Sequence, residues 1–162
     1  MAIFKTADLC DRFGSNQGFA VASPIFKNYG RRKRFSGPIS TVKVHEDILV
    51  FKAMLETAQA ASVIVVDGAA SLQYALMDDS LARLAMTKHI AGVIINGAVR
   101  SVDHLANLDI AILALASSPL KAPTIGKGES DLLVNFANID WQPNHYVYGD
   151  ADGVVVSPVS LI

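Results

Sequence analysis

Cysteine is almost missing from this sequence: Cys10 is the only one in 162 residues, so no disulfide can form within the chain. Long apolar runs are also lacking. The hydrophobic stretches are repeatedly broken by Asp, Asn, Gly or Ser, short of the ~20 residues a membrane span needs. The opening MAIFKTADLC has neither the basic start nor the apolar stretch of a secretory signal, and the cytoplasm is the expected compartment. Neither sign of charge is in excess. Fourteen Lys and Arg against 15 Asp and Glu give a formal net charge of −1, which argues against a dedicated nucleic-acid binder. His45, His89, His104 and His145 lack metal-ligand spacing, so a zinc site is not expected.

What is present is apolar bulk. With 51% hydrophobic and 18% charged residues, the chain can bury enough surface to offset its conformational entropy. Its length suits one domain, 1–162, with apolar surface to spare for contacts between subunits.

Hydrophobic periodicity divides the chain. Thr6 to Phe13 reads as a short capped helix. The Gly-, Ser-, Asn- and Arg-rich stretch to Pro38 reads as loop with one short strand at most. ISTVKV (39–44) alternates like a half-buried strand, and Asp47 caps a helix to about Gln59 with Ile48, Phe51, Leu55 and Ala58 on one face. SVIVV (62–66) and IAILAL (110–115) read as strands buried on both faces, as does GVII (92–95), which Asn96-Gly97 is expected to turn. Helices are expected over 79–89 and 102–108. This alternation predicts an α/β fold with a partly parallel sheet. Pro119, Pro123, Gly126 and Gly128 mark a loop, 132–136 a strand, and 146–157 a β-hairpin around Gly149 to Gly153.

In such sheets ligands gather beyond the carboxyl ends of the strands. Two ends stand out, Asp67-Gly-Ala-Ala-Ser71 and Asn96-Gly-Ala-Val-Arg100. Arg100 offers planar paired donors for a carboxylate or phosphate, and the helix start at Asp78 to Leu81 offers free amides. The plainer alternative is that Arg100 only pairs with Asp67 or Asp78.

Further segments carry a resemblance. GAASLQYALMDDSLARLA (68–85), GVIINGAVRSVDHLANLDIAILALASSP (92–119), GKGESDLLVNFANI (126–139) and YVYGDADGVVVSP (146–158) resemble the family of regulator of ribonuclease E activity A, RraA. TADLCDRF and NYGRRKRFSGPISTVKVHED match it too. The resemblance implies a single compact RraA-like domain, a layered α/β/β sandwich around a mixed, partly parallel sheet, assembled as a homotrimer. The fold is shared with class II 4-hydroxy-4-methyl-2-oxoglutarate aldolases, which also decarboxylate oxaloacetate. In those enzymes an arginine and a helix-start segment hold the substrate carboxylate, and the aspartate after the arginine helps hold a divalent metal. On that pattern Arg100 takes the arginine's place and Asp78-Asp79-Ser80-Leu81 the amide-bearing segment.

Two departures matter. Ser101 stands where the metal aspartate belongs, and a neutral hydroxyl is a poor ligand for a hard cation. Asp103, two positions on, faces elsewhere if the segment is helical. Asp78 replaces a glycine and would repel an incoming carboxylate, or cap the helix and pair with Arg100. The first expectation is therefore a regulator that binds ribonuclease E as a protein partner, with no cofactor and no direct contact with nucleic acid. The alternative is a Mg²⁺- or Mn²⁺-dependent lyase acting on 2-oxo acids, with Arg100 as its catalytic residue. Arg31-Arg-Lys-Arg34 reads as a solvated or subunit-interface cluster, Cys10 as a small core residue, and Gly126 to Asp131 matches no nucleotide motif.

Overall fold

A computed structural model describes residues 3–162. In chain order the elements are α1 (Thr6–Phe13), β1 (Ala20–Val21), β2 (Lys27–Asn28), β3 (Phe35–Val44), α2 (Leu49–Thr57), β4 (Val63–Asp67), β5 (Ala75–Met77) and α3 (Asp79–Thr87). They continue with β6 (Gly92–Val99), α4 (Val102–Leu105), β7 (Ala111–Ser117), β8 (Gly128–Ser130), β9 (Val134–Phe136), β10 (Ile139–Trp141), β11 (Tyr146–Gly149) and β12 (Val154–Ser157).

β3, β4, β6 and β7 lie side by side in parallel. β11, β12 and β1 extend this centre in antiparallel fashion from β3, and β2 closes the far edge on β7. The side chains of β4 explain the layering. Ile64 and Val66 pack with Phe51, Leu55 and Ala82 of the helical layer. Val63 and Val65 pack with Phe136, Trp141 and Val147 of the β layer opposite. A strand with a core on each face must be apolar at every position, and all four are fully buried, each contributing roughly 1.5–3 kcal/mol. In the β layer Trp141 stacks on Phe136, ring centroids 5.0 Å apart, and its indole N–H donates to the Phe136 carbonyl at 3.1 Å. The expected layered α/β/β sandwich around a mixed sheet is what the chain adopts.

Several expected boundaries move. β3 starts at Phe35, four residues before the expected Ile39, because the Gly37-Pro38 punctuation is tolerated where the strand changes partners. Phe35 to Pro38 pair with β11, and Ile39 to Lys43 run parallel to β4. A Cβ on Gly37 would sit 2.2 Å from the Ala61 carbonyl oxygen, so glycine is required there by contact. Asn96-Gly97 does not turn the chain. β6 runs through it to Val99 with one extra residue relative to β7, since Ile95 faces Ala114 while Ala98 faces Ala116, the count of a β-bulge. Two short strands, β1 and β2, replace the single one expected before Pro38. β8 lies at the end of the expected loop, β5 and β10 lie where no element was expected, α4 is a single turn, and α2 and α3 each end two residues early.

The helix starts also differ. α1 is capped not by Thr6 but by Asp150, which accepts the Thr6 amide at 2.7 Å and its hydroxyl at 2.6 Å. Asp47 does accept an α2 amide, from Leu49 at 3.0 Å. Its other oxygen gathers the amides of Ile125, Gly126 and Lys127 at 2.8–3.2 Å. This buried carboxylate thus ties the 125–127 loop to the start of α2. Burial opposes its ionisation, but the four amides prevail and hold its carboxyl below the usual carboxylate range.

Candidate functional site

β5 and β6 bring Arg100 and Asp78 together. The two strands pair in parallel, Met77 opposite Val99, and the Arg100 amide donates to the Met77 carbonyl at 2.9 Å. The residue following each strand therefore emerges at the same edge. Asp78 is extended (φ −126°) and caps α3, one oxygen accepting the Leu81 amide at 3.1 Å. Its other oxygen lies 3.4 Å from a terminal nitrogen of Arg100. The second terminal nitrogen of Arg100 reaches the Pro119 carbonyl at 3.5 Å, and its Nε is shielded from solvent without a partner. A charge-assisted pair normally closes to about 2.7–2.9 Å, so Arg100 is held but not satisfied. Asp78, Leu81, Arg100 and Lys121 border one shallow hollow that is too tight for a water-sized molecule.

Asp67, the other candidate partner of Arg100, is engaged elsewhere. It accepts the Asn96 side-chain amide and the Ala69 amide, each at 3.0 Å. The turn after it is tied to β6: the Gly68 and Ala70 amides donate to the Asn96 carbonyl at 3.1 Å, with Ala69 and Ala70 both left-handed (φ 56° and 57°). Its Gly68, Ala69 and Ala70 amides are thus spent on Asn96 of β6 and on Asp67.

Asp79 opens α3 and pairs with Arg83 one turn on and with His104 Nδ1 of α4 at 3.4 Å. The Arg83 hydrogen bond, with help from His104, holds its carboxyl below the usual range. Ser80 is exposed. The amides of Asp79 and Ser80 belong to the first turn, where no helical carbonyl can reach them. Ser101 is exposed and left-handed (φ 58°, ψ 40°) and makes no side-chain cap. Asp103 is exposed in the turn of α4.

These donors do not fit a divalent ion held by this chain alone. Ser101 offers a neutral hydroxyl, Asp78 is committed to Arg100 and Leu81, and Asp79 to Arg83 and His104. Among the described residues no three His, Cys, Asp or Glu side chains converge as metal ligands.

Other singled-out residues take structural places. Arg32 pairs with Asp109 at 3.2 Å, and Arg34 lies over the Phe4 ring, 5.8 Å from its centroid. Cys10 is half-buried against the cluster of Phe4, Leu9 and Tyr148, and burial raises its thiol pKa, with Asp11 and Asp150 adding to the effect. No helix among the described residues is long and apolar enough to cross a membrane. Sequence reasoning missed Lys121, an exposed lysine after Pro119 that carries no local signal; only the pairing of its segment with β5 places it at the site.

A Bacillus cereus protein named "Putative 4-hydroxy-4-methyl-2-oxoglutarate aldolase" is 41% identical over 159 residues, covering 98% of this chain and 99% of its own. The RNA-processing inhibitor RraA from Thermus thermophilis superposes with a TM-score of 0.93 at 35% identity, covering 99% of this chain and 98% of that one. A Geobacillus kaustophilus structure described as an S-adenosylmethionine:2-dimethylmenaquinone methyltransferase reaches a TM-score of 0.95 at 42% identity, covering 98% and 97%. Three relatives bear three activities in their names, so activity must be argued from the site. The family described as RraA-like, Aldolase/RraA, matches residues 6–156, and the chain belongs to it.

Proposed function

We propose that the Arg100 site receives the carboxylate of a small 2-oxo acid and that the chain is a lyase of the 4-hydroxy-4-methyl-2-oxoglutarate aldolase kind, releasing pyruvate. The observation that carries this reading is the unmet demand of Arg100: two long contacts and one shielded, unpartnered Nε. An incoming carboxylate would displace Asp78 and take paired bonds from the guanidinium. The first amides of α3 add donors, and their dipole favours the negative charge that develops on the keto oxygen as the carbon–carbon bond breaks. The aldolase name of a relative 41% identical over nearly the whole chain supports the same substrate class. Mg²⁺ or Mn²⁺ dependence comes with the family resemblance, but the donors of this chain do not fit such an ion, and no step is assigned to one.

The test is pyruvate release from 4-hydroxy-4-methyl-2-oxoglutarate and from oxaloacetate, with chelator, Mg²⁺ or Mn²⁺ present. Release that falls at least ~100-fold in Arg100→Met is expected. Absence of release in all arms rejects the reading.

Asp78 and Ser101 favour a second reading. An arginine already occupied from within, followed by a neutral hydroxyl, suits a protein that has given up turnover. In this reading the chain acts as the Thermus relative is described, by inhibiting RNA processing: it docks on ribonuclease E, lowers cleavage and uses no cofactor. A pull-down against ribonuclease E with a cleavage assay, on the preparation used for pyruvate release, separates the two. Both readings include a ring of three copies, for which sedimentation should report three times the 17.3 kDa chain mass.

A further inference from the structure

We infer that the cleft between the two edges of the sheet binds a free α-amino acid with a large apolar side chain, its head groups held by Lys33 and Asp152. The inference is independent of both readings of the Arg100 site, with whose hollow the cleft shares no residue.

The path of the chain creates the cleft. β1 and β2 stand at opposite ends of the strand order, β1 on β12 and β2 on β7. Residues 22–26 alone join them, and the six Cα steps from Val21 to Lys27 span about 20 Å at most. The sheet must therefore curl until its edges come within that reach, yet the edges do not pair with each other. The space left between them is a cleft of about 580 Å³, within the size range of small-molecule sites and placed like the barrel mouths such sites favour.

The floor of the cleft is apolar. Ala22, Leu113 and Val154 are buried members of the β-layer core, and Phe26 packs edge-on against Phe136, centroids 6.1 Å apart. The walls are pinned. The Ala22 amide donates to the Val154 carbonyl and the Ser23 amide to the Ala137 carbonyl, both at 2.9 Å, while across the cleft the Asp150 amide donates to the Gly153 carbonyl at 3.1 Å. Such a site is formed before its ligand arrives, which lowers the cost of binding.

Charge selects the class of ligand. The Asp150 carboxylate is spent on Thr6 and on the Asp152 amide. Lys33 and Asp152 both line the cleft and are exposed. Among the described residues neither has an opposite charge within 4.0 Å, so they do not pair with each other. An apolar amine would leave Lys33 unmatched, and an apolar acid would leave Asp152 unmatched. An α-amino acid matches both and lays its side chain on the floor. Each head-group contact is screened like a surface ion pair, and burial of the side chain supplies the larger share of affinity.

Calorimetric titration of the full chain with L-phenylalanine, phenethylamine, 3-phenylpropionate and L-alanine tests this. Phenylalanine should bind. The amine and the acid, each lacking one head group, should bind about fivefold more weakly, and alanine, lacking the apolar body, should give no measurable heat. Lys33→Gln should bring phenylalanine down to the level of phenethylamine, and Asp152→Asn down to that of 3-phenylpropionate. Both variants should keep the parent's melting temperature, because neither side chain has an ion pair to lose. Arg100→Met, which removes the other carboxylate-binding group, should bind phenylalanine as the parent does. Four outcomes each overturn the site: a parent that does not bind phenylalanine, alanine bound as tightly as phenylalanine, an unchanged ranking in Lys33→Gln and Asp152→Asn, or loss of phenylalanine binding in Arg100→Met.

Discussion

Asp78 serves two masters: one carboxylate oxygen caps α3 at the Leu81 amide, 3.1 Å away, and the other leans on the Arg100 guanidinium at 3.4 Å. The helix needs only an acceptor, and the arginine needs a charge, so the two roles can be separated by substitution.

Asp78→Asn keeps an oxygen to cap α3, because asparagine is as good a cap as aspartate, and removes the charge that competes for Arg100. Binding of 2-oxobutyrate should tighten about fivefold, which corresponds to roughly 1 kcal/mol, with little change in melting temperature. Asp78→Ala should also tighten binding but lose about 1 kcal/mol of stability with the cap. Calorimetry and urea denaturation read the two effects separately.

Ser101 holds a left-handed backbone that aspartate tolerates well. Ser101→Asp should therefore fold as stably as the parent and gain Mn²⁺ binding by calorimetry. Combined with Asp78→Gly, it should raise pyruvate release from oxaloacetate. A double variant that stays folded, binds Mn²⁺ and shows no gain would mean that these two positions do not limit turnover.

Removing Asp47 leaves four amides without their acceptor, one at the start of α2 and three in the 125–127 loop. Asp47→Ala should cost about 3 kcal/mol in urea denaturation. The carboxyl is depressed in the folded state. Its stabilising contribution is therefore complete above the unfolded-state pKa of about 4 and fades as pH falls through the lower folded value. The parent should lose stability over that acid window, and Asp47→Ala should show a shallower slope there.

Gly37→Ala should be among the most damaging small substitutions. Its methyl would press to 2.2 Å from the Ala61 carbonyl oxygen, a backbone atom that cannot rotate away. A loss of about 2–3 kcal/mol is expected from such overpacking, measured as a fall in the denaturation midpoint.

The centre of the fold was legible where sequence and burial coincide. VIVV and IAILAL are apolar at successive positions because their strands meet a core on each face. The periphery was not. β5, β8 and β10 are three residues each, too short for a periodicity, and they exist because a neighbouring strand offers an edge. Asn96-Gly97 has the composition of a turn, yet sits inside β6 at a bulge that only pairing with β7 reveals. At the site, the choice between Asp67 and Asp78 as the partner of Arg100 depended on β5, which the sequence did not disclose. Asp47 was visible as a helix cap, but the three loop amides it gathers lie 78–80 residues away in the chain, beyond any local signal.

The Met77–Val99 pairing fixes both main chains behind the Arg100 contact, which leaves only side-chain torsions free to open it. On the proposed reading, exchange of the resident carboxylate for an incoming one would then need only side-chain rotation of the part-exposed Arg100 and the buried Asp78. On that reading the strands stay in place, and entry would be set by competition between the incoming anion and the resident carboxylate.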